Sequence, residues 1–144
     1  MTELQLKRPK RLWVAALMNI LVGLTSLAAL VFVLTSSLVA DAVQLGSGTA
    51  VLAAFIAGLL VVSSVLALMG RPRGRQLMLI AALVFYGSIL LQNAYILGQA
   101  QDSIVPANKL LATVVRSGLE IAINLWALLS SKTRRYFGGV LAAT

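Results

Sequence analysis

Histidine and cysteine are both absent from the 144 residues, and acids number only four against twelve Lys and Arg. Without imidazole or thiolate, zinc, haem, copper and iron–sulfur centres lose their usual ligands. Disulfides and Ser/His/Asp or Cys/His nucleophile systems are excluded in the same way. Missing cysteine is compatible with any redox compartment and decides nothing there. The acids are Glu3, Asp41, Asp102 and Glu120, and only Glu120 falls inside an apolar run. A catalytic carboxylate pair would need residues that the topology below sets on different sides of a membrane. No enzymatic activity is therefore expected, and no cofactor is implied.

Charge of either sign is scarce as well, at 11% of the chain against about 25% in an average soluble domain. What replaces it is apolar: 60% of residues are hydrophobic, and they fall in four long blocks at 12–34, 49–69, 77–97 and 110–129. Each block matches the roughly 20 residues that a helix rising about 1.5 Å per residue needs to cross about 30 Å of hydrocarbon. Lipid leaves backbone groups no partner but the chain itself, which restricts spanning segments to helices and closed barrels. The blocks show no barrel-like alternation. The expected fold is all-α: a polytopic membrane protein, one transmembrane domain over 1–144, folded as an antiparallel bundle of four transmembrane helices.

The cations orient that bundle. Lys7, Arg8, Lys10 and Arg11 precede the first block; Arg71, Arg73 and Arg75 fill the second break; Lys132, Arg134 and Arg135 follow the fourth block. If all four blocks span, these ten lie on one side. The other two breaks, 35–48 and 98–108, carry Asp41 and Asp102 and no cation, with Lys109 at the edge of the fourth block. The positive-inside rule then makes both termini cytoplasmic, as in a bacterial-type inner or plasma membrane. A net charge of +8 also invites a nucleic-acid reading. The clusters abut spans, and no soluble domain is there to present them, so topology and contact with anionic lipid account for them better.

The first block has a rival reading as a signal peptide, because Ala40-Asp41-Ala42 resembles a small-residue cleavage site. Its 23 residues are too many for an h-region, usually about 7–15, and it is expected to stay as a membrane helix. Between the second and third blocks, Gly70-Arg71-Pro72-Arg73-Gly74-Arg75 predicts a tight turn and an antiparallel hairpin. Pro106 is expected in the first turn of the fourth helix. Gly138-Gly139 is expected to release the chain into a short apolar tail.

Within lipid the informative residues are polar. The fourth block carries Lys109, Thr113, Arg116, Ser117, Glu120 and Asn124 at spacings of three or four, which puts them on one helical face. A central charge costs at least about 2.5–3.5 kcal/mol on insertion scales, so Arg116 and Glu120 are expected to face other helices or a wet cavity. Their i,i+4 spacing also lets them pair with each other. Depth bookkeeping sets Gln92 and Asn93 of the third block opposite Arg116, as its hydrogen-bonding partners. Asn124 comes level with Asn19 of the first block and with Ser63 and Ser64 of the second, while Thr25, Ser26, Tyr86 and Ser88 fall closest to Glu120. The expectation is a layered polar seam through the bundle. It either fixes helix register or, through Glu120 and Arg116, handles a proton, cation or polar ligand.

Other signals are weaker. Ala54 and Gly58 form a small-xxx-small pair suited to close packing within the chain or to dimerisation. Trp13, Trp126, Tyr136 and Phe137 read as interfacial anchors. No glycine pattern makes a phosphate loop. The function these features support is that of an accessory, assembly or interaction subunit acting through helix–helix contacts, with the bilayer and another membrane protein, or a second copy of the chain, as partners. The alternative is an oligomeric transporter of a small solute, ion or proton that uses Glu120, Arg116 and Asn93. A lipid- or quinone-active enzyme is disfavoured by the missing His, Cys and acid cluster.

Overall fold

A computed structural model describes residues 8–36, 46–99 and 105–143, apart from the side chains of 140–143. Asp41, Asp102, Glu3, Lys7 and the Ala40-Asp41-Ala42 triplet lie outside the described residues. The described chain is all-helical: α1 (Lys10–Thr35), α2 (Ser47–Leu68), α3 (Gly74–Gly98), α4 (Ala107–Leu129) and α5 (Ser131–Ala143). The first four are long and apolar enough to cross a membrane. Each begins two or three residues before its hydropathy block. Polar residues such as Lys10, Arg75, Asn108 and Lys109 extend the backbone helix past the apolar run. Pro106 stands one step outside α4, as its N-cap, because its fixed φ suits an extended entry as well as a first turn.

Two local devices set the turn from α2 to α3. Gly70 takes a positive φ of 74°. The Gly70 N–H bonds the Ala67 carbonyl and the Arg71 N–H the Leu66 carbonyl, each at 3.1 Å, which closes α2 with a Schellman motif. Gly74 opens α3 against the backbone of α2: a Cβ there would stand 2.8 Å from Ala67 Cα and N. Only hydrogen fits at that position.

The fifth helix replaces the expected apolar tail, with Gly138 and Gly139 inside it. Ser130 starts it, accepting the Thr133 N–H at 3.3 Å, and Thr133 Oγ1 donates back to the Ala127 carbonyl at 2.6 Å. Tyr136 and Phe137 are buried rather than interfacial, packed with Leu12, Ala15 and Ala16 of α1 and Leu128 of α4. A 13-residue helix without a spanning-length apolar run finds its apolar partners on the bundle end instead. Trp126 remains at the surface, with Arg11 stacked 4.4 Å above its ring. Arg75 reaches the Leu128 carbonyl at 3.4 Å. Arg73, Arg75 and Arg134 line one small cavity together, so residues from the expected basic clusters gather around the same end of the bundle.

Packing is uneven along the helices. α1 buries Leu12, Ala15, Ala16, Asn19 and Gly23, and nothing after Gly23. α3 buries nothing after Tyr86. Small residues let the backbones approach: a Cβ on Gly23 would meet Val61 Cγ2 at 2.6 Å and the Ala57 carbonyl oxygen at 3.2 Å. Gly23 and Ala57 thus make the close α1–α2 contact, whereas Gly58 has open space around it. The half of the bundle beyond Gly23 and Tyr86 is looser, and cavities form there.

Candidate functional site

The spacing of Leu12, Ala15, Ala16, Asn19 and Gly23 turns one stripe of α1 inward and carries Asn19 into the core. Asn124 arrives from α4 by the same logic. The two amides bond reciprocally: Asn19 Nδ2 donates to Asn124 Oδ1 at 2.7 Å, and Asn124 Nδ2 to Asn19 Oδ1 at 3.1 Å. Tyr86 Oη donates to Asn19 Oδ1 at 2.9 Å, and Asn124 Nδ2 also reaches the Glu120 carbonyl at 2.8 Å. Asn19, Tyr86 and Asn124 are all buried to within 1%. This layer ties α1, α3 and α4 together and is satisfied, for no fully enclosed side-chain N or O among the described residues lacks a partner. Ser63 and Ser64 are buried at α2 but turn back to their own Leu60 carbonyl, at 3.1 and 2.7 Å. A serine inside a helix has an i−3 or i−4 carbonyl within reach before any neighbour.

Arg116 and Glu120 pair along α4, Nε to Oε1, at 3.0 Å. They are unequally placed. The Glu120 side chain is 11% exposed and the Arg116 side chain 70%. Of the two surroundings expected for Arg116, other helices or a cavity, it borders a cavity between α1, α3 and α4, while its side chain is largely exposed and held only at Nε, its Nη groups having no hydrogen bond among the described residues. Gln92 and Asn93 do not bond it. Asn93 Nδ2 donates to the Ile89 carbonyl at 2.8 Å, and Gln92 is exposed beside an apolar cavity. The i+4 carboxylate sits closer than either amide, so the pair closes within one helix.

A cavity of about 290 Å³ opens between α1, α3 and α4 on the loose side of the sealed layer. Its polar lining is Thr25, Ser26, Thr113, Arg116, Ser117 and Glu120. Thr25 and Thr113 bond their own helices. Ser117 does not: it is 2% exposed, and its hydroxyl has no hydrogen-bond partner among the described residues. Glu120 Oε2 is likewise unbonded there, since Arg116 takes only Oε1. A shallow groove on the far side of the pair is lined by α4 alone, including Leu111, Val115, Arg116 and Leu119.

The seam therefore has two parts: a closed amide and phenol layer, and an open layer at the ion pair. Register alone sets Tyr86 nearest the Glu120 level, and its bond to Asn19 depends on helix rotation, which register does not give. Ser117 shared the polar face but had no feature in the sequence to set it apart. Comparison with family models, curated proteins and solved structures yields no match for this chain.

Proposed function

We propose that this chain is an integral membrane protein that acts as an accessory or assembly subunit, binding another membrane protein through the outward face of α4. The observation that carries the reading is the Arg116 side chain, 70% exposed within the central third of a spanning-length helix. A guanidinium there is costly against acyl chains, on the order of 2.5–3.5 kcal/mol or more, and an acceptor on a partner relieves that cost. The partner is a transmembrane helix with an uncharged acceptor near mid-depth, the side-chain oxygen of Asn, Gln, Ser or Thr, facing the free Nη groups; the pair with Glu120 is already neutral and needs no further counter-charge. Leu111, Val115 and Leu119 flank Arg116 and supply apolar contact.

In this reading the helices run antiparallel, with both termini on the cytoplasmic side of an inner or plasma membrane. The gathering of Arg11, Arg75 and Arg134 about one end supports that orientation. Transport of a small solute or ion is a second reading, favoured by the cavity that reaches Glu120. The sealed Asn19–Tyr86–Asn124 layer weighs against a conducting path through a single copy.

The double substitution Arg116→Leu, Glu120→Leu tests the proposal. Replacing an ion pair by apolar side chains is often neutral or stabilising, so thermal stability in detergent is expected within about 1 kcal/mol of the parent, or above it. The complex recovered in mild detergent is expected to fall to the size of the free chain. A complex retained at full yield would show that the pair serves the fold alone.

A further inference from the structure

We infer that the cavity between α1, α3 and α4 is a binding site for a neutral, hydroxyl-bearing amphiphile. This goes beyond the partner reading and does not rest on it: Arg116 and Glu120 border both spaces, but the cavity is otherwise lined by α1, Ile89 of α3 and the Ser117 side of α4, and the partner face by α4 alone. Three polar atoms are available: Glu120 Oε2, the Ser117 hydroxyl and the half-buried Ser26 hydroxyl, none with a hydrogen bond among the described residues. Ser117 is the most informative: the residue is buried, yet its hydroxyl makes no hydrogen bond there and opens on the cavity, since every fully enclosed side-chain N or O among the described residues has a partner. Ser26, Ala29 and Ile89 line both this cavity and an adjoining, mainly apolar one of about 380 Å³, bounded also by Leu30, Val33, Ala53, Ile56 and Phe85.

A polar tip joined to an apolar body fits this pair of spaces. The charge of the site selects the tip. Arg116 and Glu120 already neutralise each other, and a cationic or anionic head would bring an unmatched charge into the middle of a span. A hydroxyl needs no counter-charge. It donates to Glu120 Oε2 and accepts from Ser117 or Ser26, which meets both sides of the site's chemistry. Depth agrees, since a neutral alcohol enters the hydrocarbon more readily than a charged phospholipid head does. Long-chain alcohols and diacylglycerols share this chemistry.

The test uses the purified full-length chain in phosphatidylcholine nanodiscs and three diazirine probes: hexadecanol, hexadecylamine with the same chain, and a diacylglycerol. Labelling by the alcohol, the diacylglycerol or both is expected to saturate, to be competed by unlabelled hexadecanol, and to map to α1 and α4 peptides around Ser26 and Ser117. Whichever of the two saturates identifies a single-chain or a two-chain source. Ser117→Ala removes one oxygen and is expected to lower labelling about three- to tenfold, one hydrogen bond's worth. Ala29→Phe, at an exposed residue that lines both cavities, is expected to abolish it. The amine labelling as well as the alcohol would overturn the inference, as would labelling that fails to saturate. Saturation and head-group preference are read on the parent chain and need neither variant to fold.

Discussion

Gly74→Val is expected to destabilise the folded bundle by about 3 kcal/mol, the upper range for forcing atoms into a filled space. The position is tighter than an ordinary core site. A Cβ there meets Ala67 Cα and N at 2.8 Å and the Leu66 carbonyl carbon at 2.9 Å. Those are backbone atoms of α2, so no rotamer change makes room, and the Schellman turn at Gly70 fixes how far α2 and α3 can separate. Gly58→Val is the matched control, since nothing lies within 4 Å of a Cβ at that site, and it should shift stability by less than about 0.5 kcal/mol. Reversible unfolding in mixed micelles, followed by tryptophan fluorescence, measures both. Equal effects at the two glycines would mean that α2 and α3 do not approach this closely.

The second large effect is expected at Asn124. Asn124→Leu removes both amide bonds to Asn19 and leaves the Asn19 Nδ2 donor without its acceptor while Tyr86 still occupies Oδ1. An interhelical bond in a membrane averages only about 0.6 kcal/mol. A buried donor left unpaired adds about 1–3 kcal/mol, and the total is expected near 2 kcal/mol. Asn19→Leu should cost a similar amount. The Asn19→Leu, Asn124→Leu double variant should be less destabilised than the sum of the singles by about 1 kcal/mol, because each single already breaks the shared bonds. Additive losses would place the two amides out of contact in the folded protein.

These sites show what was legible before any coordinates. Periodicity and hydropathy located the four long helices, because twenty apolar residues in a row have few other physical uses. They put Asn19 and Asn124 at one depth, and the reciprocal amide bond forms there. Depth is a count along a helix, but rotation about its axis is not, which explains the differences. Arg116 makes the i+4 bond to Glu120 that its spacing allows and borders the cavity between α1, α3 and α4, but how far its side chain projects from the bundle depends on rotation. Depth sets Asn93 opposite Arg116 and Ser63 and Ser64 level with Asn124, but all three bond carbonyls of their own helix. The last helix was missed for another reason: α5 buries only a short patch around Tyr136 and Phe137, and its two glycines read as a stop. Tertiary packing into the apolar cluster at that end of the bundle overrides that local preference.

The function proposed here turns on whether the outward face of α4 is covered by a protein helix. The most direct measurement is ultraviolet cross-linking from a photoreactive amino acid at Leu119, 60% exposed and next to Arg116 on that face, in native membranes. A cross-linked product of one discrete mass, formed with a single membrane protein through a segment that bears Asn, Gln, Ser or Thr and lost on Arg116→Leu, is the predicted result. A product with the mass of two copies of this chain would make the second copy the partner. Adducts with lipid alone would contradict the account.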